Sequence, residues 1–184
     1  DWSSDVCSSD LLWIDWITHQ LPRKTAETDL PTRVALVGIG SELNGDDAAG
    51  VAAARLLRPL FAHVEHVLVV EAGPVAENST GSLRRFRPDV VILLDAAWFG
   101  GEPGEIRGLD WHEADGFSAS THTLPLSVFA SYLESEFGCS VLLLGVQAAS
   151  VEFGDPISPA VKRAVRRLAR DLHNELPEEK GFSE

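Results

Sequence analysis

Two consecutive carboxylates close a glycine-rich loop, Gly38-Ile-Gly40-Ser-Glu-Leu-Asn-Gly45-Asp46-Asp47. The loop superficially matches the dinucleotide fingerprint G-x-G-x-x-G. The third glycine should stand at position 43, which is Leu43, and the following helix begins with two acids where a pyrophosphate would sit. Paired negative charges at that point repel phosphate and attract cations. A single helix cap accounts for one aspartate but not for two after three glycines, residues that let backbone approach a ligand closely. A second carboxylate, Asp95, ends the apolar run Val90-Val-Ile-Leu-Leu. A capping or turn-bonding role is the competing reading for it. Of six histidines, His122, in Thr121-His-Thr-Leu-Pro125-Leu, stands just before an expected helix. His63 and His66 border a strand, His112 lies in an acidic stretch and His173 sits on the closing helix. Two hard oxygens and one imidazole, Asp47, Asp95 and His122, suit a borderline divalent ion with open positions.

These residues need a scaffold that brings three chain segments to one edge. Val34–Ile39, Val67–Val70, Val90–Asp95 and Val141–Gly145 are short, continuous apolar runs, as expected of strands buried on both faces. Glu105–Leu109 is expected as an edge strand. Between them, helical patterns cover Asp46–Leu60, Gly81–Phe86, Pro125–Phe137 (proline in its first turn) and Ser158–Leu176. Apolar strands alternating with amphipathic helices predict an α/β fold: a single domain with a twisted, mainly parallel sheet sandwiched between helices. Ligands of such sheets collect beyond the carboxyl ends of the strands. Asp47, Asp95 and His122 each occupy a strand-to-helix junction, so the topology would bring them to one edge.

Bulk properties remove several classes of function. The 184 residues are 45% hydrophobic and 23% charged, which suits one globular domain. A formal net charge of -13 disfavours nucleic acid as a partner, because phosphate contacts need clustered Lys and Arg. The basic residues from Lys162 to Arg170 alternate with apolar ones at helical spacing, as on a solvated helix face. No apolar run reaches the ~20 residues of a membrane span. Two cysteines, Cys7 and Cys139, make neither a disulfide framework nor a thiolate cage, and a reducing, cytoplasmic setting is expected. There is no H-E-x-x-H helix and no G-x-S-x-G nucleophile context; Ser120, beside Thr121-His122, comes nearest.

The chain opens with DWSSDVCSSDL, residues 1–11, which has no apolar periodicity and no signal-peptide pattern. The segment resembles the translation of a sequencing-adapter oligonucleotide fused to a reading frame and is set aside as an artefact. Leu12, Trp13, Trp16, Ile17 and Leu21 lie at helical spacing, so residues 12–32 are expected to form a helix and a linker. The main domain is placed at 33–176, followed by an acidic tail at 177–184.

Six segments in register resemble one family. Gly38-Ile-Gly-Ser-Glu-Leu-Asn-Gly-Asp-Asp-Ala-Ala-Gly50 is similar to the opening motif of the hydrogenase maturation endopeptidases. Glu71-Ala-Gly-Pro-Val-Ala-Glu-Asn and Arg87-Pro-Asp-Val-Val-Ile-Leu-Leu-Asp-Ala resemble the second- and third-strand motifs. Pro103-Gly-Glu-Ile-Arg and Thr121-His-Thr-Leu-Pro-Leu resemble the version serving hydrogenase 3 and related enzymes, and Leu144-Gly-Val-Gln147 the last motif. Ser41 stands where asparagine is usual and Ala148 where proline is common. The resemblance implies a metal-dependent endopeptidase that contacts metal through Asp47, Asp95 and His122. Its partner would be the precursor of a nickel–iron hydrogenase large subunit, from which it would cut a C-terminal peptide once nickel is inserted. Nickel would come with the substrate, and other divalent ions would substitute in vitro. A monomer is expected. The alternative is a metal-checking chaperone that binds the precursor without cutting it.

Overall fold

The computed structural model describes residues 9–21, 30–116 and 124–176. Five strands form one sheet: β1 (Val34–Ile39), β2 (Val67–Gly73), β3 (Val90–Ala97), β4 (Ile106–Leu109) and β5 (Ser140–Gln147). Their spatial order is β2-β1-β3-β5-β4. The pairs β1–β2, β1–β3 and β3–β5 are parallel, and only the edge strand β4 runs antiparallel, against β5. Among the described residues five α-helices accompany them: α1 (Ser9–Gln20), α2 (Ala49–Leu60), α3 (Thr80–Phe86), α4 (Leu126–Phe137) and α5 (Pro159–Glu175). No described helix is long and apolar enough to cross a membrane.

Strand alternation divides the interior into two cores, because successive side chains leave a strand on opposite faces. Val34 and Leu36 of β1, Val90, Ile92 and Leu94 of β3, and Leu142 and Leu144 of β5 join one cluster with Ala53 and Leu57 of α2 and Val165 and Leu168 of α5. Trp13 and Ile17 of α1 close that cluster beyond β4. The Trp16 ring lies against Gly108, where a Cβ would meet ring carbons at 2.4 Å. The odd-numbered neighbours Ala35, Val37, Val91, Leu93, Val141 and Leu143 face the other way, onto Leu83 of α3 and Phe129, Ala130 and Leu133 of α4. The single-domain sandwich expected from the apolar runs is the fold observed.

Three boundaries differ from the expectation. β3 continues two residues past Asp95, so Asp95 is paired in the ladder opposite Gly145 instead of ending the strand. The helix expected from Asp46 opens as a separate 3-10 turn, Gly45–Ala48, before α2 proper. α1 begins at Ser9, so its first residues fall inside the segment set aside as an artefact. Cys7, Ser120, His122 and the acidic tail lie outside the described residues.

Candidate active site

Close backbone packing seats the first loop on the sheet. A Cβ on Gly50 would fall 2.0 Å from the Leu94 carbonyl oxygen and 2.4 Å from that of Ile39. A Cβ on Gly38 would fall 2.2 Å from the Gly50 carbonyl oxygen. The first turn of α2 therefore rests directly on the carboxyl ends of β1 and β3, at a distance only glycine permits. That contact carries the 3-10 turn, and with it Asp47, against β3, the strand that bears Asp95 two residues before its end. Gly40 turns the loop with φ 121°, a conformation L side chains rarely adopt, and a Cβ there would collide with the Asp47 carbonyl oxygen at 1.8 Å.

Asp47 and Asp95 are both buried, at 2% and 1% exposure. The Ser41 N–H donates to Asp47 Oδ2 at 2.8 Å, and the Ala96 N–H donates to Asp95 Oδ1 at 2.9 Å. Asp95 shares its strand face with Leu93 and Ala97, the face covered by α3 and α4. Asp47, in the turn that follows β1, and Asp95, near the carboxyl end of the adjacent parallel strand β3, both lie toward the edge where such sheets receive ligands. Among the described residues no group of three or more His, Cys, Asp and Glu side chains forms a metal cage. His122, the third predicted member, lies outside the described residues, just ahead of α4.

The doublet resolves into two different jobs. Asp46, 1% exposed, binds backbone from the far end of the chain. Its Oδ2 accepts N–H bonds from Ala149 at 2.8 Å and Ser150 at 3.3 Å, and its Oδ1 accepts one from Ser158 at 2.6 Å. Its own N–H donates to the Ser150 carbonyl at 2.8 Å. Asp46 thus locks the loop after β1 to the loop after β5. Asp47 bonds only locally among the hydrogen bonds described above, within its own loop.

Gln147, quoted at the sequence level only as part of a motif, has a comparable positioning role. Its Oε1 accepts from the N–H groups of Phe99 and Gly101 at 3.0 and 3.1 Å, and its Nε2 donates to the Ala148 carbonyl. One buried amide thereby shapes the loop after β3. Arg55 on α2 bridges Glu42 of the first loop, at 2.5 Å, and Glu71 of β2, at 3.0 Å. Hydrogen bonding from Arg55 holds the Glu42 carboxyl below its usual range. Arg58 also contacts Glu71.

Other candidates fall away from the edge. Burial pushes the Cys139 thiol up to about 11, so it carries almost no thiolate near neutrality. His173 packs edge-on against Phe61 with ring centroids 5.3 Å apart. His112 binds Asp110 through Nδ1 at 2.7 Å and stacks on Trp111.

With this geometry in place, comparison with known proteins is specific. The family model for hydrogenase maturation proteases matches residues 51–175. The hydrogenase 3 maturation protease of Escherichia coli K12 is 32% identical over 138 residues, covering 74% of this chain and 86% of that protein. A nickel–iron hydrogenase maturation protease from Thermococcus kodakarensis KOD1 superposes with a TM-score of 0.72 at 36% identity, over 80% of this chain and 94% of that one. An endopeptidase of the same kind from Escherichia coli, solved in solution, gives 0.68 at 28% identity, over 81% and 99% of the two chains.

Proposed function

This chain belongs to the hydrogenase maturation protease family, and on that premise we propose that it removes a C-terminal peptide from the nickel-loaded precursor of a hydrogenase large subunit. One observation carries the reading: Asp47 and Asp95 are buried carboxylates toward one edge of the sheet, in a loop whose close approach to β1 and β3 leaves no room for a Cβ at Gly38, Gly40 or Gly50. Carboxylate oxygens near the carboxyl edge of a parallel sheet suit a cation-seeking role, because ligands of such sheets collect there.

In the proposed reaction nickel arrives as part of the substrate, held by the precursor's thiolates. Asp47, Asp95 and His122 engage its open positions with two oxygens and one imidazole nitrogen. Docking on the ion fixes the scissile bond beside the acidic pair. The ion supplies Lewis acidity, polarising the scissile carbonyl or lowering the pKa of the attacking water. The water oxygen joins the carbonyl carbon, the C–N bond breaks, and a proton passes to the leaving amine. Asp46 and Gln147 hold the surrounding loops and take no part in these bond changes.

A set of three ligands with no thiolate should bind a divalent ion only modestly by itself. The purified protein is therefore expected to carry little stoichiometric metal, yet to accept nickel, cadmium or zinc at high concentration. The test is a gel assay of nickel-loaded and nickel-free precursor, with metal analysis of the isolated protein. Cleavage of only the loaded form, abolished by Asp47→Asn, Asp95→Asn or His122→Ala, supports the reading. Equal cleavage of the empty precursor by a protein with one tightly bound ion refutes substrate-supplied nickel. Stable binding without a shortened product would identify the metal-checking chaperone instead.

A further inference from the structure

Two of the three most exposed large apolar side chains among the described residues lie beside the candidate site. Phe153 is 80% exposed and Leu43 is 63% exposed; the third, Leu30 at 78%, lies ahead of β1 at the opposite edge of the sheet. Scattered single apolar residues are ordinary on a protein surface. These two are not scattered. The Gly154 N–H donates to the Leu43 carbonyl at 2.8 Å, which sets the two residues on neighbouring turn tips.

Both turns are closed by backbone hydrogen bonds. Residues 41–44 are closed by the Asn44 N–H on the Ser41 carbonyl, and residues 152–155 by the Asp155 N–H on the Glu152 carbonyl. Gly154 has φ 86°, as required at the third position of a type II turn, so Phe153 stands at its apex. Asp46 ties the two loops together through Ala149, Ser150 and Ser158. Gly45 leaves no room between them: a Cβ would fall 2.8 Å from the Ser150 carbonyl oxygen. A preordered apolar surface binds with little loss of conformational entropy. The neighbourhood is acidic as well. Glu152 and Asp155 are exposed, and neither forms an ion pair among the described residues. Leu43 lies only four residues before Asp47, in the loop whose Ser41 N–H holds the Asp47 carboxylate.

We propose that Leu43 and Phe153 form an apolar lip that docks the precursor polypeptide beside the cleavage point, gripping a segment that carries an apolar side chain next to a basic one. The occupant rests on the proteolytic reading above. The segment's apolar group covers the lip, and its cation faces Glu152 and Asp155. The lip sets affinity and leaves the chemistry to the acidic pair.

The test uses the full chain and purified nickel-loaded precursor. Leu43→Ser, Phe153→Ser and the double variant are compared with Leu30→Ser, which removes an equally exposed side chain at the other edge. Binding is measured by fluorescence anisotropy and cleavage at saturating precursor on gels. The expected result is a Kd raised about tenfold or more in the double variant, with KM following it, kcat within about twofold of the parent, and an unchanged melting temperature. Leu30→Ser should match the parent throughout. Affinity of the parent should weaken as salt rises, and less so for Glu152→Gln. The proposal is overturned if the double variant binds like the parent, if kcat falls while Kd holds, or if Leu30→Ser loses as much affinity. It is also overturned if sedimentation shows the parent as a dimer that the double variant dissolves, since a second copy would then occupy the lip. Binding of uncut precursor through the lip would leave this proposal standing while refuting proteolysis, so the two readings fail separately.

Discussion

Neighbouring aspartates should respond in opposite ways to the same substitution. Asp46 accepts three backbone N–H bonds on two oxygens, at 2.6, 2.8 and 3.3 Å. In Asp46→Asn one oxygen becomes an N–H2 group, which faces at least one backbone donor with another donor. Losing a hydrogen bond to a charged group costs about 1.5–3 kcal/mol. Ala149 is exposed and Ser158 half-buried, so water recovers part of that loss. A net destabilisation of about 2 kcal/mol follows, or roughly 4–8 °C in melting temperature for a domain of this size. Asp47→Asn retains an amide oxygen for the Ser41 N–H, so its destabilisation should stay below about 1 kcal/mol. Activity should rank the other way: Asp47→Asn folded and inactive, Asp46→Asn less stable but still able to cut at a temperature well below its melting point. Circular-dichroism melts and the precursor gel assay on both variants decide the matter. If Asp46→Asn melts with the parent, or Asp47→Asn is the less stable of the two, the division of labour argued from these bonds is wrong.

Gly50→Ala should destabilise by about 3 kcal/mol or more, because its Cβ would meet backbone oxygens of both β1 and β3 that cannot move aside; a urea midpoint equal to the parent's would contradict that seating. Cys139 should resist iodoacetamide at pH 8.5 in the native protein and react in guanidinium, as read by peptide mass spectrometry. Since burial raises its pKa in the fold, its contribution to stability is complete below the unfolded thiol's pKa and declines as pH rises toward about 11; a Cys139→Ala variant should lack that alkaline component. Gly108→Val should lift the Trp16 ring off β4 and expose α1 to limited proteolysis, whereas intact α1 in that variant would disprove the contact. His173→Ala should process precursor normally while His122→Ala does not, and equal loss in both would remove the case for His122.

Much of the scaffold was legible because its strands are buried on both faces. Val34–Ile39, Val90–Leu94 and Val141–Leu144 read as strands from unbroken apolar composition alone. The last two residues of β3, Ala96 and Ala97, escaped notice because alanine has little preference for a strand; pairing with Val146 and Gln147 places them there. That Asp47 and Asp95 lie toward the carboxyl edge of the sheet was legible from the strand-to-helix junctions, although Asp95 stands two residues before the end of β3. The difference between Asp46 and Asp47 was not, since Asp46's partners lie 103, 104 and 112 residues downstream. Nothing local distinguishes the two carboxylates. Gln147 was equally hidden: its bonds reach 46 and 48 residues back, to a loop with no pattern of its own.

The Asp46 ties also bear on how the chain comes off the ribosome. β1 and α2 are made early, but Asp46 meets the last of its three backbone donors only once Ser158 has been synthesised. Until then the carboxylate lacks one of its three donors, while the helical segments already made can gain structure in sequence order. The nascent chain therefore lacks the last tie between its first loop and the loop after β5 for most of its synthesis. The residue that completes it is the one that caps α5.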